Sequence, residues 1–218
     1  MTGREPTTAP HLLWPPTADG GAPRAVTFDA GGGSGRMLRT VAELTGGAAE
    51  LVRDVTIGMP GDGDVHLVAE EGEFWFHTDA AFLASPPRWM VIAVLEAEGG
   101  GALDLLPVEH IDPAPLSVRA SYLTPEGVQV SPVLEHVDGA AGGGPRMRYR
   151  RDRMLAVDDA DALAAAHEAV ERAADRALPA GELRPGQCLL VDNWTVLHRR
   201  RPFRGRRVIR RLWFDAAR

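Results

Sequence analysis

The feature that most constrains the fold is the apolar run at residues 89–95, which contains no polar side chain. A strand that is apolar at every position is buried on both faces, so it must lie inside a sheet that is covered on both sides. Residues 51–57 and 73–79 are also predicted as strands, because they are rich in β-branched and aromatic residues and are bounded by turn residues. These runs predict a mainly β chain.

Short strands are predicted along most of the remaining sequence. The glycines at 99–101 predict a tight turn that joins strands 88–98 and 102–106 as a hairpin. Glycine, proline and aspartate separate the other apolar runs in the same way. Further strands are predicted at 25–29, 64–69, 118–137, 146–151, 187–192 and 206–214.

Two segments have the spacing of apolar residues that is typical of helices. The first helix is predicted at 36–44, with Ser34 as its N-cap, and it ends at a pair of glycines. The second helix is predicted at 158–178, with Asp158 or Asp159 as its cap. Two helices beside many strands favour a sandwich or distorted barrel with flanking helices.

Composition places the chain among globular proteins, with 44% hydrophobic and 25% charged residues in a length of 218. Residues 1–24 are rich in Pro, Gly, Thr and Ala and are predicted to be a loose arm, and residues 25–218 to be a single domain. The net charge of -6 argues against a general nucleic-acid binder. One cysteine, Cys188, and the lack of a signal peptide or membrane span lead us to expect a cytoplasmic protein.

Two histidines and one aspartate form a candidate metal site. His77 and Asp79 are two residues apart on a predicted strand, so both can point to the same side. His198 follows a second apolar run that begins far downstream. Two histidines and a carboxylate are the ligand set that holds non-haem Fe(II) and leaves coordination positions open. Ordinary structural roles are expected for the other histidines, His11, His66, His110, His136 and His167.

The C-terminal segment has eight arginines between residues 199 and 211, and the chain has no lysine. Most of these arginines are expected to form ion pairs on a solvent-exposed edge strand. Arg207 and Arg211 are candidates to hold a carboxylate ligand through charge-assisted hydrogen bonds. The strand register remains open, so Arg206 or Arg210 could face inward instead.

Taken together, these motifs resemble a known family of enzymes. Residues 77–79, then His198 after residues 185–193, then residues 207–211 look like the iron- and 2-oxoglutarate-dependent dioxygenases of the taurine dioxygenase and clavaminate synthase-like superfamily. Residues 148–154 also resemble a strand that these proteins carry before their long helix. The resemblance implies a double-stranded β-helix, which is the jelly-roll fold of cupin-like proteins.

The resemblance also implies a role for each candidate residue. Iron would be bound by His77, Asp79 and His198, and Arg207 would bind the distal carboxylate of 2-oxoglutarate. Arg211 would face the cosubstrate or an acidic group of the substrate. An aspartate at position 79, where halogenating relatives leave room for chloride, favours hydroxylation or desaturation.

One region departs from the family pattern. Members usually have a threonine after the glycine turn that helps to hold 2-oxoglutarate, and this chain has Ala102, Leu103 and Asp104 there. The carboxylate of Asp104 would repel the cosubstrate unless it turns away from the site.

The function implied is an oxygenase that uses O2 to hydroxylate a small, amino-acid-like or acidic substrate and releases succinate and CO2. One alternative with the same fold is an oxidative demethylase of nucleic acids, which the clustered arginines favour and the acidic net charge disfavours. Another is a non-catalytic jelly-roll binding module, in which the two histidines and Asp79 do not converge.

Overall fold

The computed structural model describes residues 10–15, 22–30, 33–47, 49–58, 72–124, 127–138 and 143–216. The predicted strand at 64–69 lies outside these residues. The strands are β1 (His11–Trp14), β2 (Ala25–Asp29), β3 (Ala49–Ile57), β4 (Phe74–His77), β5 (Trp89–Ala97), β6 (Leu103–Pro107), β7 (Arg119–Thr124), β8 (Gly127–Pro132), β9 (Leu134–Val137), β10 (Gly144–Met147), β11 (Met154–Ala156), β12 (Leu178–Gly181), β13 (Gln187–Asp192), β14 (Val196–Arg200) and β15 (Arg207–Ala216). The helices are α1 (Ser34–Leu44) and α2 (Ala160–Ala173).

Two antiparallel sheets form the body of the jelly roll. The larger sheet has the order β1-β2-β13-β5-β15-β3, and the smaller sheet has the order β12-β6-β14-β4. Strands β7, β8 and β11 form a three-stranded sheet, and β9 pairs with β10. The predicted fold class, mainly β with flanking helices, is therefore confirmed. Strand β1 lies within the predicted N-terminal arm and pairs with β2 at the edge of the larger sheet.

Strand β5 packs on both of its faces, against the smaller sheet on one side and against α1 on the other. Met90, Ile92 and Val94 point into the core between the two large sheets, where they meet Leu105 of β6. The alternate residues of β5 lie on the other face and pack with Met37 and other apolar residues of α1. Each such buried aliphatic side chain stabilises the fold by about 1.5–3 kcal/mol relative to exposure. The apolar run at 89–95 is thus buried on both faces over its first six residues, as predicted.

Helix α2 covers the outer face of the smaller sheet. Its apolar side chains, including Leu163 and Val170, pack with Phe76 of β4 and Leu197 of β14. Asp159 is the N-cap, and its carboxylate accepts hydrogen bonds from two backbone N–H groups of the first turn. Such a cap stabilises a helix by about 1 kcal/mol. No helix among the described residues is long and apolar enough to cross a membrane.

Three local predictions were wrong. Strands β5 and β6 do not form a hairpin, because β5 already has β13 and β15 on its two edges and β6 joins the other sheet. The glycine turn, with Gly100 and Gly101 at positive φ, instead carries the chain from one sheet to the other. Ser34 is the first residue of α1 rather than its cap, and Gly33 is at the cap position. The strand predicted at 146–151 ends at Met147.

Candidate active site

The two histidines meet because β4 and β14 are neighbours in the smaller sheet. His77 is the last residue of β4, and it pairs directly with His198. The apolar run before His198 is not one continuous strand, because a turn after Asp192 separates β13 from β14. His198 therefore lies in the middle of a strand that the sequence did not reveal. Arginine fills the last two positions of β14, which masks its strand pattern.

Asp79 completes a compact cluster with the two histidines. One ligand atom from each residue can be chosen such that all lie within 4.8 Å of one another. Oδ1 of Asp79 is 3.5 Å from Nε2 of His77 and 3.7 Å from Nε2 of His198. All three residues are at most 3% exposed. The structure thus brings the three predicted metal ligands together in a buried site.

Both histidines are held in the neutral form that can bind a metal. Nδ1 of His77 lies 2.8 Å from the Trp75 carbonyl, which can only accept, so Nδ1 carries the proton and Nε2 keeps its lone pair. Burial lowers the pKa of His77 despite the opposing effect of Asp79. Burial and the adjacent His77 lower the pKa of His198 well below its usual value. Neutral imidazole is the metal-binding form of histidine.

The carboxylate of Asp79 is fixed by two donors from β15. Nη1 of Arg211 is 3.2 Å from Oδ1, and Nε1 of Trp213 donates to Oδ2 at 2.7 Å. Burial alone would raise the pKa of Asp79, but the charge of Arg211 and the hydrogen bond with His77 outweigh it, so the pKa is well below its usual value. Trp213 was not predicted as a site residue. The period of two on β15, which places Trp213 on the same face as Arg211, was the signal that could have revealed it.

The backbone of Asp79 is held by Asn193, which lies in the turn between β13 and β14. The Asn193 side chain accepts from the Asp79 N–H at 2.7 Å and donates to the Asp79 carbonyl at 3.0 Å. It also donates to the Pro87 carbonyl at 2.9 Å. The two residues are 114 positions apart, so no local pattern in the sequence predicts this contact.

Residues 148 and 149 hold the backbone between His77 and Asp79 and the loop that follows Asp79. The backbone N–H of Thr78 donates to the carbonyl of Tyr149, and its hydroxyl accepts from the Tyr149 N–H at 3.0 Å. The guanidinium of Arg148 is 2% exposed and donates to the carbonyls of Leu83 and Ala84, in the loop that follows Asp79. The sequence motif at 148–154 therefore contributes positioning contacts that sequence reasoning did not identify.

Strand β15 points alternate residues into the site. Ile209 and the predicted Arg207 and Arg211 line one pocket together with His77 and His198. The other two candidates face outward: Arg206 forms an ion pair with Glu96, and Arg210 forms one with Asp54. The side chains thus follow a clean period of two, which resolves the register that the sequence left open.

Arg207 and Arg211 have different surroundings within that pocket. Arg211 contacts the carboxylate of Asp79, as described above, and its side chain is 17% exposed. Among the described residues, no carboxylate pairs with Arg207, whose guanidinium lies beside the ring of Phe203. Burial and the nearby charge of Arg200 lower the pKa of Arg207 to about 10. A half-buried guanidinium with no carboxylate partner among the described residues is suited to an anionic ligand.

Asp104 turns away from the pocket. Its carboxylate, which is 3% exposed, accepts from Arg199 at 2.7 Å and from Arg201 at 2.9 Å. Burial alone would raise its pKa, but the hydrogen bonds from Arg201 and Arg199 outweigh this effect and lower it. The next inward position on β6 is Leu103, which lines the pocket with an apolar side chain.

Cys188 and the other described histidines lie outside the cluster of candidate metal ligands. Cys188 is buried in β13, and burial raises the pKa of its thiol to about 12. His167 is half-buried on α2, where its Nδ1 lies 3.0 Å from the hydroxyl of Tyr149. His66 lies outside the described residues, and His11, His110 and His136 do not join the cluster.

Comparison with known proteins supports the resemblance seen in the sequence. Residues 128–213 match the family of the taurine catabolism dioxygenase TauD, TfdA. This range includes His198, Arg207 and Arg211, and it excludes the other two candidate ligands. No curated protein sequence matches the chain significantly.

Several solved structures share the fold. An asparagine oxygenase in complex with Fe(II), (2S,3S)-3-hydroxyasparagine and succinate is 20% identical, with a TM-score of 0.58 over 73% of this chain and 55% of that chain. The non-haem iron oxygenase OrfP, solved with Fe and α-ketoglutaric acid, is 17% identical, with a TM-score of 0.59 over 84% of this chain and 64% of that chain. PvcB from Pseudomonas aeruginosa is 14% identical, with a TM-score of 0.61 over 89% and 76%.

The chain spans about half the length of the asparagine oxygenase structures that it matches. At these identities the structural matches establish the fold, and the family match covers residues 128–213. The predicted resemblance is therefore confirmed: residues 128–213 are similar to the TauD, TfdA family, and the chain has the double-stranded β-helix fold of the oxygenase structures that it matches.

Proposed function

We propose that the chain is an Fe(II)- and 2-oxoglutarate-dependent oxygenase that hydroxylates or desaturates a small, amino-acid-like substrate. The observation that carries this proposal is a pocket lined by two neutral histidines and by Arg207, with the ionised Asp79 clustered beside the histidines. A site that binds a metal ion and the far carboxylate of a dicarboxylate needs these groups together.

The donor set fits Fe(II). His77, Asp79 and His198 offer two nitrogen atoms and one oxygen atom within 4.8 Å of one another, which leaves other coordination positions for ligands. Iron with 2-oxoglutarate and O2 would supply the oxidation, which gives succinate, CO2 and, in a hydroxylation, an alcohol. The chain binds and orients these reactants, and its own contacts fix the ligands before the metal arrives.

Each neighbouring side chain has a definite task in this proposal. Arg211 and Trp213 hold the Asp79 carboxylate in one orientation through both of its oxygen atoms. Arg207 binds the far carboxylate of 2-oxoglutarate. The apolar side chains of Ile92 and Ile209 line the same pocket and exclude water from it.

The substrate class is supported by the similar structures. Asparagine oxygenase was solved with a hydroxylated asparagine, and OrfP was solved with a hydroxylated arginine. An amino-acid-like substrate is therefore the best-supported class for this fold. The single buried thiol of Cys188 and the need for Fe(II) are suited to a reducing compartment, so we expect the protein to act in the cytoplasm.

The two alternatives are less well supported. A nucleic-acid demethylase would need free basic groups on its surface, but the outward arginines at 199, 201, 206 and 210 pair with carboxylates. A non-catalytic binding module gives no reason for three buried ligands to converge on one point. Both alternatives remain outcomes of the experiments below.

The first test is anaerobic addition of Fe(II) and 2-oxoglutarate. We expect a weak visible charge-transfer band, because an α-keto acid that chelates Fe(II) absorbs in this range. His77→Ala should abolish the band, and His136→Ala, which changes an exposed histidine away from the pocket, should leave it intact. If the unaltered chain gives no band and His77→Ala changes no metal affinity, the oxygenase proposal is wrong.

The second measurement identifies the substrate class. Succinate release is measured with 2-oxoglutarate, O2 and a panel of amino acids and small acids. We expect at least one free amino acid to stimulate release and to gain one oxygen atom or lose two hydrogen atoms. Stimulation by oligonucleotides alone, with strong dependence on salt, would favour the demethylase instead.

A further inference from the structure

We propose that Arg200 is a second arginine for the far carboxylate of the cosubstrate, which would then be held by two guanidinium groups, those of Arg200 and Arg207. This inference rests on the proposed function, since it names a further binding residue in the same pocket. The sequence analysis treated Arg200 as one member of a mainly exposed arginine cluster. The structure buries it, with 3% exposed.

The position of Arg200 follows from the period of two on β14. It lies two residues after His198, so both side chains project from the same face of the strand. Arg200 is also paired across the sheet with Phe74 of β4. The three residues line one pocket, together with Arg207 and Arg211 of β15. Arg200 therefore extends the site from the histidines toward Arg207.

Arg200 and Arg207 approach each other around one aromatic ring. The guanidinium carbon of Arg200 is 4.6 Å from the centre of the Phe203 ring, and that of Arg207 is 5.7 Å from the same point. Phe203 is itself buried and bridges to Gly100 of the glycine turn. The ring thus lies beside both cationic groups.

The glycine turn leaves the space that Arg207 needs. Gly101 has φ of +73°, and a Cβ at this position would lie 3.1 Å from Nε of Arg207. Leu103 follows on β6 and brings an apolar side chain to the pocket. The β6 side therefore offers no hydroxyl group there, and the hydrogen bonds to an anion would come from the arginines of β14 and β15.

The charges in the pocket favour a carboxylate ligand. Three arginines line it, and none of the described lining residues is acidic. The proximity of Arg200 contributes to the lowered pKa of Arg207, which means that the two positive charges repel each other. A carboxylate between them would remove this repulsion and accept several charge-assisted hydrogen bonds. Two guanidiniums also offer more donors than one, which would favour a dicarboxylate over a monocarboxylate cosubstrate.

The test compares two α-keto acids that differ at the far end only. Dissociation constants are measured by anaerobic calorimetry with Fe(II)-loaded protein, for 2-oxoglutarate and for 2-oxopentanoate, which has a methyl group in place of the far carboxylate. We expect Arg200→Gln to weaken 2-oxoglutarate binding by roughly 10- to 100-fold, which is typical for loss of a charge-assisted hydrogen bond. Binding of 2-oxopentanoate should change by less than about 3-fold, because it makes no such bond.

Matched variants separate this result from general damage. Arg201→Gln changes the next residue, whose side chain points outward to Asp104, and should affect neither ligand. Arg200→Lys keeps the charge but offers fewer donors, so it should retain part of the preference for 2-oxoglutarate. The ratio of the two dissociation constants can be read in the lysine variant if the glutamine variant does not fold.

The results separate failure of the proposed function from failure of the proposed role of Arg200. If the unaltered chain binds 2-oxoglutarate no better than 2-oxopentanoate, the proposed function itself fails, and this inference fails with it. If the unaltered chain prefers 2-oxoglutarate and the ratio is unchanged in the Arg200 variants, the proposed function survives and the role of Arg200 is wrong. An equal loss for both ligands would also overturn the inference, because it would mean a purely structural role.

Discussion

The two faces of the C-terminal arginine segment have opposite surroundings. Outward-facing arginines at 199, 201, 206 and 210 each pair with a carboxylate, and their partners are Asp104, Glu96 and Asp54. Inward-facing arginines at 200, 207 and 211 line the pocket that also contains the two histidines. Arginine thus forms surface ion pairs at some positions and lines the pocket at others. Which of the two it does depends on the face of the strand from which its side chain projects.

This difference shows how a charge-rich strand can serve a buried site. The outward pairs neutralise arginines near the surface, and a pair whose two members are half exposed, such as Arg206 with Glu96, contributes little to stability. The inward arginines have little access to water, so their charges act strongly on whatever enters the pocket. Arg211 is intermediate, since it faces inward and pairs with Asp79. Three changes test this comparison.

The largest difference is expected between Arg207→Gln and Arg210→Gln. Arg207→Gln removes the unpaired inward guanidinium and should weaken 2-oxoglutarate binding by roughly 100-fold, as for loss of one partner in a buried charge pair. Arg210→Gln removes a guanidinium of the same strand that pairs with Asp54 on the outside, so affinity should stay within about 2-fold. Calorimetry with Fe(II)-loaded protein measures the 2-oxoglutarate affinity of both variants. Equal effects of the two changes would contradict the distinction between the faces.

The second change concerns Arg211, which contacts Asp79. Arg211→Gln removes one of the two donors that orient this carboxylate, and the Fe(II) affinity should fall by about 10-fold, as for other groups that support a metal ligand. Trp213→Phe removes the other donor and keeps an aromatic ring, so it should lower the Fe(II) affinity by a similar factor. Competition with a chelator measures the affinity. Unchanged Fe(II) affinity together with weaker binding of substrate would mean that Arg211 acts on the substrate instead.

The smallest effect is expected on the outer face. Asp104→Asn removes the charge that Arg199 and Arg201 share and should lower the free energy of unfolding by about 1 kcal/mol at neutral pH. The folded pKa of Asp104 is lowered, so its contribution is present above the ordinary carboxyl pKa of about 4 and is lost as the pH falls through the folded value.

Denaturant unfolding of both proteins at pH 7 and at decreasing pH measures this contribution. The difference between them should shrink at acid pH. Glu96→Gln is the control, because Glu96 and Arg206 are both about half exposed and their pair should contribute less than about 0.5 kcal/mol. A constant difference between Asp104→Asn and the unaltered protein at every pH would show that the charge of Asp104 is not responsible.

Local chemistry predicted much of the secondary structure. The sequence predicted β2 and β13 with their observed bounds and both helices to within a few residues of their ends, because apolar periodicity and turn residues act over short distances. It missed β14, in which two arginines follow His198, and it assigned a hairpin to β5 and β6. That hairpin is local in sequence, but the edges of β5 were taken by distant strands.

The sequence by itself determined the chemistry of the candidate site. It contains the spacing of His77 and Asp79, a distant His198, and arginines placed after it, and these residue types favour iron and a dicarboxylate. Which of these side chains meet depends on how the strands pair in the fold. Pairing of β4 with β14 brings the histidines together, and the parity of β15 turns Arg207 inward and Arg210 outward. The physical reason is that a one-residue shift in a strand exchanges its two faces, and register is fixed by partners that lie far away in the sequence.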